Sequence, residues 1–421
     1  MAVRITTLEN GLRVATDAMQ EAGSMVVGAW VGVGTRDEPW RANGVAHLVE
    51  HMMFKGTKSR SAYALSTAIE NKGGAMNAHT TREETAYYAR VLPEDMDLAG
   101  EIVSDMLQNS VFAPKELDRE RQVVIQEIGR DMDSPEEHVF DLMHHQAFPK
   151  QKIGRPILGS AETIAKLQRR EVKEYVKQHY HTGNMVVVGA GKIDHDDFVE
   201  MARKRFGKLP KGRVAQREKA HIRSGTNLTA KEIEQLHIIL GFPCAGFHSR
   251  SIYAAQVLSI LLGGSSSSRL FQKVREKRGL VYTINSGHSA FSDVGIFQIY
   301  AGTDPQRVKE LIPVVCDEMR DVTRNVAPGE LARAKAQARA DLLMGEEGVM
   351  RRADSLGHCL LAFGRPIPTE EILRKLMAVT KEDVEAVAAK LLTRRPIVTA
   401  LGPLGQMDGY AAICERLRKA G

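Results

Sequence analysis

The amino-acid sequence predicts an α+β protein built from two homologous domains, each a mixed, mostly antiparallel sheet with helices packed on one face. Three observations lead there. Short runs rich in β-branched and aromatic residues come in meander-like groups between long amphipathic patterns, which favours antiparallel pairing over alternating βαβ units. The chain also repeats its landmarks: APKEL at 113–117 returns as APGEL at 327–331, and GRPI at 154–157 returns at 364–367. After each GRPI comes a capped helix pattern, RREVKEYVKQHY in the first half and KEDVEAVAAKLL in the second, and each half closes on an apolar strand, MVVVGAG at 185–191 and PIVTALG at 396–402. The offsets are 214, 210 and about 211 residues, and matches in one order at nearly one offset mark an internal duplication.

Taken in order, MAVRITTLENGLRVATD reads as a strand, a turn at Asn10-Gly11 and a second strand. AGSMVVGAWVGVG, GAMNAHTT and ETAYYARVL supply further strands of the first half; QLHIILGFP, VYTINSGHSA and GIFQIYAGT supply those of the second. EDMDLAGEIVSDMLQN and QRVKELIPVVCDEMRDV space apolar residues by three and four and read as helices. Between the halves lies KLPKGRVAQREKAHIR, residues 208–223, with six Lys/Arg against one Glu. Its expected role is a solvated linker, which places the domains at 1–210 and 231–421 with a basic linker at 211–230.

Composition narrows the function classes. Hydrophobic residues at 43% and charged residues at 26% over 421 residues are ordinary for a globular chain with a sizeable core. A net charge of +6 is mild, and the basic stretch lacks interleaved aromatics or a nucleic-acid module, so no nucleic acid is expected as partner. Cys244, Cys316, Cys359 and Cys414 are scattered without a CxxC pair, which argues against a thiolate zinc site or a disulfide scaffold and fits a reducing compartment. The N-terminal stretch has no apolar core of a signal peptide. The longest apolar runs fall far short of the ~20 residues that span a bilayer. The expectation is a cytoplasmic protein with no membrane partner. No GxSxG and no GxxxxGK[ST] occurs, so a serine-hydrolase elbow and a phosphate-cradling loop are both set aside.

The chemistry concentrates in GVAHLVEHMMFKGT, residues 44–57. Asn43-Gly44 signals a helix start and Gly56 a stop. On that helix His47 and His51 lie one turn apart on one side and can grip one Zn²⁺. Glu50, three residues after His47, projects the same way and can reach a water on that ion without ligating it. A general base beside a Lewis acid is what amide hydrolysis at neutral pH requires. The order H-x-x-E-H is the inverzincin signature. A third ligand must come from elsewhere, and the charged helix pattern from Pro114 offers Glu120 and Glu127, seven apart on one face. Glu127 falls in the apolar run VVIQEI, where an unpaired carboxylate is costly and a metal would remove the cost.

With these residues in place, the sequence resembles the pitrilysin-type (inverzincin, M16) zinc metallopeptidases, in the branch of mitochondrial processing peptidase β subunits and their bacterial relatives. That family follows H-x-x-E-H with a glutamate ligand 76 residues after the second histidine, which here is Glu127, and carries an acidic residue seven before it, here Glu120. The resemblance covers essentially the whole chain. It implies His47, His51 and Glu127 as ligands of one Zn²⁺ per chain, Glu50 as general base and Glu120 as a support behind the ligands. It implies that Asn77 and Ala78 in GGAMNAHTTREETAYYAR hold a peptide substrate as an added strand. The second half lacks H-x-x-E-H and has Asp341 in the place of Glu127, so it is expected to bind no metal. In the family an Arg and a Tyr seven apart stabilise the oxyanion, a spacing matched by Arg275 and Tyr282. Glu137 and Asp141 match an acidic pair that holds a substrate arginine, and Phe54 matches an aromatic lining the pocket past the cut. GGSSSSRL in the second half departs from the long glycine-rich loop of the processing peptidase α subunit, so presequence recognition by that loop is not carried over. The resemblance implies an endopeptidase for unfolded or short, basic peptides in a closed chamber, acting as a homodimer or as a heterodimer with a related subunit. The competing expectation is a non-catalytic or partner-dependent assembly subunit of the same fold.

Overall fold

The computed structural model describes residues 3–418. Eleven strands are found among the described residues, in two sheets. The first sheet contains β1 (Val3–Thr7), β2 (Arg13–Ala18), β3 (Met25–Val31), β4 (Ala75–Thr80), β5 (Thr85–Val91) and β6 (Met185–Gly191), in the order β1-β2-β6-β3-β5-β4. The second contains β7 (Gly225–Ala230), β8 (Leu236–Cys244), β9 (Thr283–Ala290), β10 (Gly295–Thr303) and β11 (Ile397–Gly402), in the order β7-β11-β8-β10-β9. Apart from β1, the two sheets share one pattern. β2 runs parallel to β6 as β7 does to β11, and every later pair in either sheet is antiparallel. This is the mixed, mostly antiparallel α+β architecture expected from the repeats.

Packing divides the chain into two compact units that trade segments. The first holds the chain up to Arg130, Arg155–Glu218 and Leu343–Ile367; the second holds Asp131–Gly154, Lys219–Leu342 and the chain from Pro368 on. In the first unit every residue of β3 is buried, because the sheet is covered on both faces. Val27, Ala29 and Val31 point into a core with Leu48, Val49 and Met52 of the helix Val45–Met53 and with Ile102, Val103 and Met106 of the helix Met96–Asn109. Val26 and Trp30 point the other way, into a smaller core with Ala353, Leu356 and Leu360 of the helix Val349–Phe363. That helix comes from the far half of the sequence. Gly357 lets it approach closely: a Cβ there would stand 2.5 Å from the Trp30 ring. Arg352 forms a buried ion pair with Asp17, Nε to Oδ2 at 2.7 Å, which pins the helix to β2.

The second unit repeats the device in reverse. The helices of its own half fill one face, with Leu258, Leu262, Leu311 and Val315 packed on Leu240 and Phe297. Its other face receives Val139 and Met143 of the helix Pro135–Ala147, which pack on Ile239, Ile296 and Ile397. Tyr300 Oη donates to Glu136 Oε1 at 2.9 Å.

The stretch expected as a solvated linker is ordered in two places. Arg217 donates to both carboxylate oxygens of Asp37 at 2.8 Å and to the backbone oxygens of Gly32 and Glu83. Residues 225–230 form β7. Basic composition suggested solvent because the sequence gives no sign of the Asp37 partner, 180 residues away. The cysteines are free, and among the described residues no helix is long and apolar enough to cross a membrane.

Candidate metal centre

The helix Val45–Met53 carries the motif, and its start depends on two features. Gly44 caps it at φ +92°, and a Cβ there would meet Leu158 O and Ile164 Cδ1 at 2.6 Å, so only glycine fits. Gly44 has no side chain to cap with, and Glu38 does the work from outside the helix. Its Oε2 accepts from the Gly44 N–H at 3.0 Å and Asn43 Nδ2 at 2.8 Å, and its Oε1 accepts from the Ala46 N–H at 2.9 Å. The carboxylate thus meets donors that a helix start leaves open. Glu38 is wholly buried. Burial pushes its carboxyl up to about 7, against the pull of Asn43, Ala46, Gly44 and Arg155. The motif alone did not reveal Glu38. The one available sign was an acid a few residues ahead of an uncapped apolar helix.

From this helix the two imidazoles point to one place, 4.6 Å apart at their ring centroids. The long helix Pro114–Asp133 brings Glu127 to them: its Oε2 stands 3.8 Å from His47 Nε2 and 3.5 Å from His51 Nε2. One ligand atom from each residue fits within 4.8 Å of the others. Two atoms bonded tetrahedrally to one zinc at about 2.0–2.2 Å stand roughly 3.3–3.6 Å apart. The spacing is therefore that of a ligand set and longer than a hydrogen bond.

The electrostatics agree. Burial, then the neighbouring His51, lowers His47 to about 4, so its ring is neutral at neutral pH, as a metal ligand must be. Its Nδ1 is buried without a hydrogen-bond partner. His51 is pulled down by burial but raised overall by Glu120 and Glu127; a dication among the same carboxylates would replace the proton they hold. Glu120, about two turns before Glu127, accepts from His51 Nδ1 at 3.0 Å and pairs with Lys55 at 2.9 Å. That bond places the proton on Nδ1 and turns the lone pair of Nε2 toward Glu127. Glu127 is part-exposed, with 28% of its side chain accessible; of the apolar run around it Val124 and Ile128 are buried and Val123 is exposed. The donor set of two neutral imidazoles and a carboxylate fits Zn²⁺.

Glu50 sits beside this cluster without joining it. Burial raises its carboxyl, and the Thr80 hydroxyl, donating to Oε2 at 2.6 Å, opposes the rise. Thr80 ends β4, the edge strand of the first sheet. Asn77 and Ala78 lie on the same strand, and Asn77 Oδ1 accepts from the Ala78 N–H at 2.9 Å. An edge donor is thus masked by a side chain, one way a free edge is kept from indiscriminate pairing. Phe54 caps the motif helix and packs against the core.

The other candidates belong to the second compact unit. Arg275 is exposed, lies in a π-helical turn at Phe271–Glu276, and stacks its guanidinium over the Phe271 ring at 4.8 Å. Tyr282 is 61% exposed. Such turns are rare and recur at functional sites, a signal that residue spacing does not carry. Glu137 and Asp141 lie on the helix Pro135–Ala147, where both raise Asp131 after burial.

A duplicated α+β fold presenting this three-ligand cluster with a carboxylate beside it defines a zinc metallopeptidase. Residues 13–161 match the family described as Insulinase (Peptidase family M16), and residues 166–338 match Peptidase M16 inactive domain. An uncharacterized zinc protease of Streptomyces coelicolor is 37% identical over 412 residues, which span 96% of this chain and 90% of that protein. One of Rickettsia felis is 36% identical over 400 residues, 95% of this chain and 97% of that one. Among solved structures, a peptidase M16 inactive domain from Pseudomonas fluorescens shares the fold at a TM-score of 0.90 and 20% identity, covering 97% of this chain and 99% of its own. The chain belongs to the M16 family of zinc metallopeptidases.

Proposed function

We propose that this protein is a zinc endopeptidase that cuts unfolded or short, basic peptides, with one catalytic zinc per chain, two chains forming a homodimer and a closed chamber excluding folded proteins. The observation that carries the reading is the convergence of His47 Nε2, His51 Nε2 and Glu127 Oε2 with Glu50 held next to them from the edge strand. The names of the curated relatives, zinc proteases, support the same activity.

When bound, the zinc supplies Lewis acidity that lowers the pKa of water and polarises a carbonyl oxygen. The chain's residues do the rest. β4 offers its free edge, and the substrate backbone takes up the Ala78 N–H in place of the Asn77 side chain. Glu50 removes a proton from the attacking water and delivers it to the leaving amine. Its raised pKa suits both roles. Arg275 and Tyr282 donate to the oxygen that gains charge. Glu137 and Asp141 receive a basic side chain of the substrate, and Phe54 lines the pocket beyond the cut.

The test is Glu50→Gln. It should retain zinc by elemental analysis while peptide cleavage falls by about 10²–10⁴-fold. Full cleavage by the variant would remove Glu50 from the mechanism. Bound zinc with no cleavage by the wild-type chain would favour the alternative, a non-catalytic assembly subunit. The match of residues 166–338 to an inactive domain is compatible with that alternative.

A further inference from the structure

The first unit holds a second group of metal-ligating side chains that the peptidase chemistry does not use. His79 lies on β4 next to Thr80, Glu84 lies in the turn between β4 and β5, and Asp354 lies on the helix Val349–Phe363. One ligand atom from each falls within 4.8 Å of the others. Alternation along β4 puts Thr80 on the face of Glu50 and His79 on the opposite face, where Trp30 and Tyr88 lie under the helix Val349–Phe363.

Three features separate this cluster from an ordinary ion-pair network. His79 Nε2 stands 3.6 Å from Asp354 Oδ1, beyond hydrogen-bond range and close to the separation of two atoms on one ion. Asp354 and Glu84 are carboxylates with no lysine or arginine partner among the described residues; their partners are imidazoles and an indole. Each carboxylate is held by one hydrogen bond. Trp30 Nε1 donates to Asp354 Oδ1 at 2.9 Å, and His358 Nδ1 donates to Glu84 Oε2 at 2.9 Å. A carboxylate oxygen has a lone pair left for a cation after accepting one hydrogen bond.

We propose that His79, Glu84 and Asp354 bind a second divalent transition-metal ion, of the class that takes mixed imidazole and carboxylate donors, such as Zn²⁺ or Mn²⁺. The ion ties the edge strand to a helix from the far end of the sequence. It thereby stiffens, from its rear face, the strand that carries Thr80 and the proposed substrate edge.

The experiment is metal counting on the full chain. Wild type, His79→Gln, Asp354→Asn, the double variant His47→Asn/His51→Asn, and that double variant combined with Asp354→Asn are dialysed against Zn²⁺ and, separately, Mn²⁺. Bound metal is then measured by mass spectrometry, and the metal-dependent rise in Tm is recorded. The expected result is two ions per wild-type chain, one in each single variant, one in the double histidine variant and none in the combined variant. The Tm rise should persist in the double histidine variant and vanish when Asp354→Asn is added. One ion in wild type, unchanged by Asp354→Asn and by His79→Gln, would overturn the proposal. The two sites fail separately: a double histidine variant that keeps the wild-type count would overturn the catalytic reading instead. Should Asp354→Asn misfold by circular dichroism, Glu84→Gln asks the same question without touching the helix.

Discussion

The two halves build the same five-strand pattern, yet only the first carries H-x-x-E-H, and the difference lies in what each places at equivalent positions. In the first half the helix after β3 bears His47, Glu50 and His51; in the second, the helix after β8, Ile252–Gly263, buries Ala254, Ala255, Val257, Leu258, Leu261 and Leu262. At the 214-residue offset Glu120 becomes Ala334, which is 2% exposed. A half-buried set of imidazoles and carboxylates is stable only with a cation or with protons to balance it. The second half drops the histidine pair and puts buried apolar side chains on the helix after β8 and at Ala334, while Asp341, in the place of Glu127, is exposed. The duplication thus shows that this sheet tolerates either solution, and that the polar cluster in the first half is there for chemistry.

The comparison breaks first if the second half contributes nothing but scaffold. Arg275→Ala and Tyr282→Phe should each lower kcat by about 10²–10³-fold with zinc content unchanged; an unchanged kcat would reduce the second half to packing. A smaller effect sharpens the Glu120/Ala334 contrast. Glu120→Gln keeps the volume but weakens the bond to His51 Nδ1, and should loosen zinc by roughly 10–100-fold in a chelator competition. A third contrast concerns the helix starts. The second-half helix begins at Ser251 without a side-chain cap, whereas the motif helix hangs on Glu38. Since burial raises the Glu38 carboxyl from 4.5 to about 7, the fold binds that proton more tightly than the unfolded chain does. Its contribution is full below about 4.5 and is lost as pH rises through about 7. Glu38→Gln should flatten Tm against pH across that window and lower the overall stability by about 1–3 kcal/mol. An unaltered pH profile would mean that Glu38 titrates elsewhere.

Much of the candidate metal site was legible because it rests on local rules. Histidines four apart share a helix face, and Glu120 and Glu127 seven apart share another. The repeats at 113 and 327 announced the duplicated fold. What stayed hidden depends on long-range pairing. An amphipathic helix states that it has an apolar face but not which sheet it covers, so the placing of Pro135–Ala147 and Val349–Phe363 on each other's sheets was not readable. Arg217 looked like solvated charge because Asp37 is remote in sequence, and His79 looked like an ordinary strand residue because Asp354 is remote too. Glu38 precedes its helix by too many residues to be read as a cap.

The zinc reading is tested most directly by anomalous scattering from crystals of the metal-loaded full chain, recorded on both sides of the zinc absorption edge. It predicts a zinc peak within bonding distance of His47 Nε2, His51 Nε2 and a Glu127 carboxylate oxygen, with Glu50 outside the coordination sphere. A chain loaded with zinc that shows no peak among these three residues, or one with Glu50 as a ligand, would contradict it.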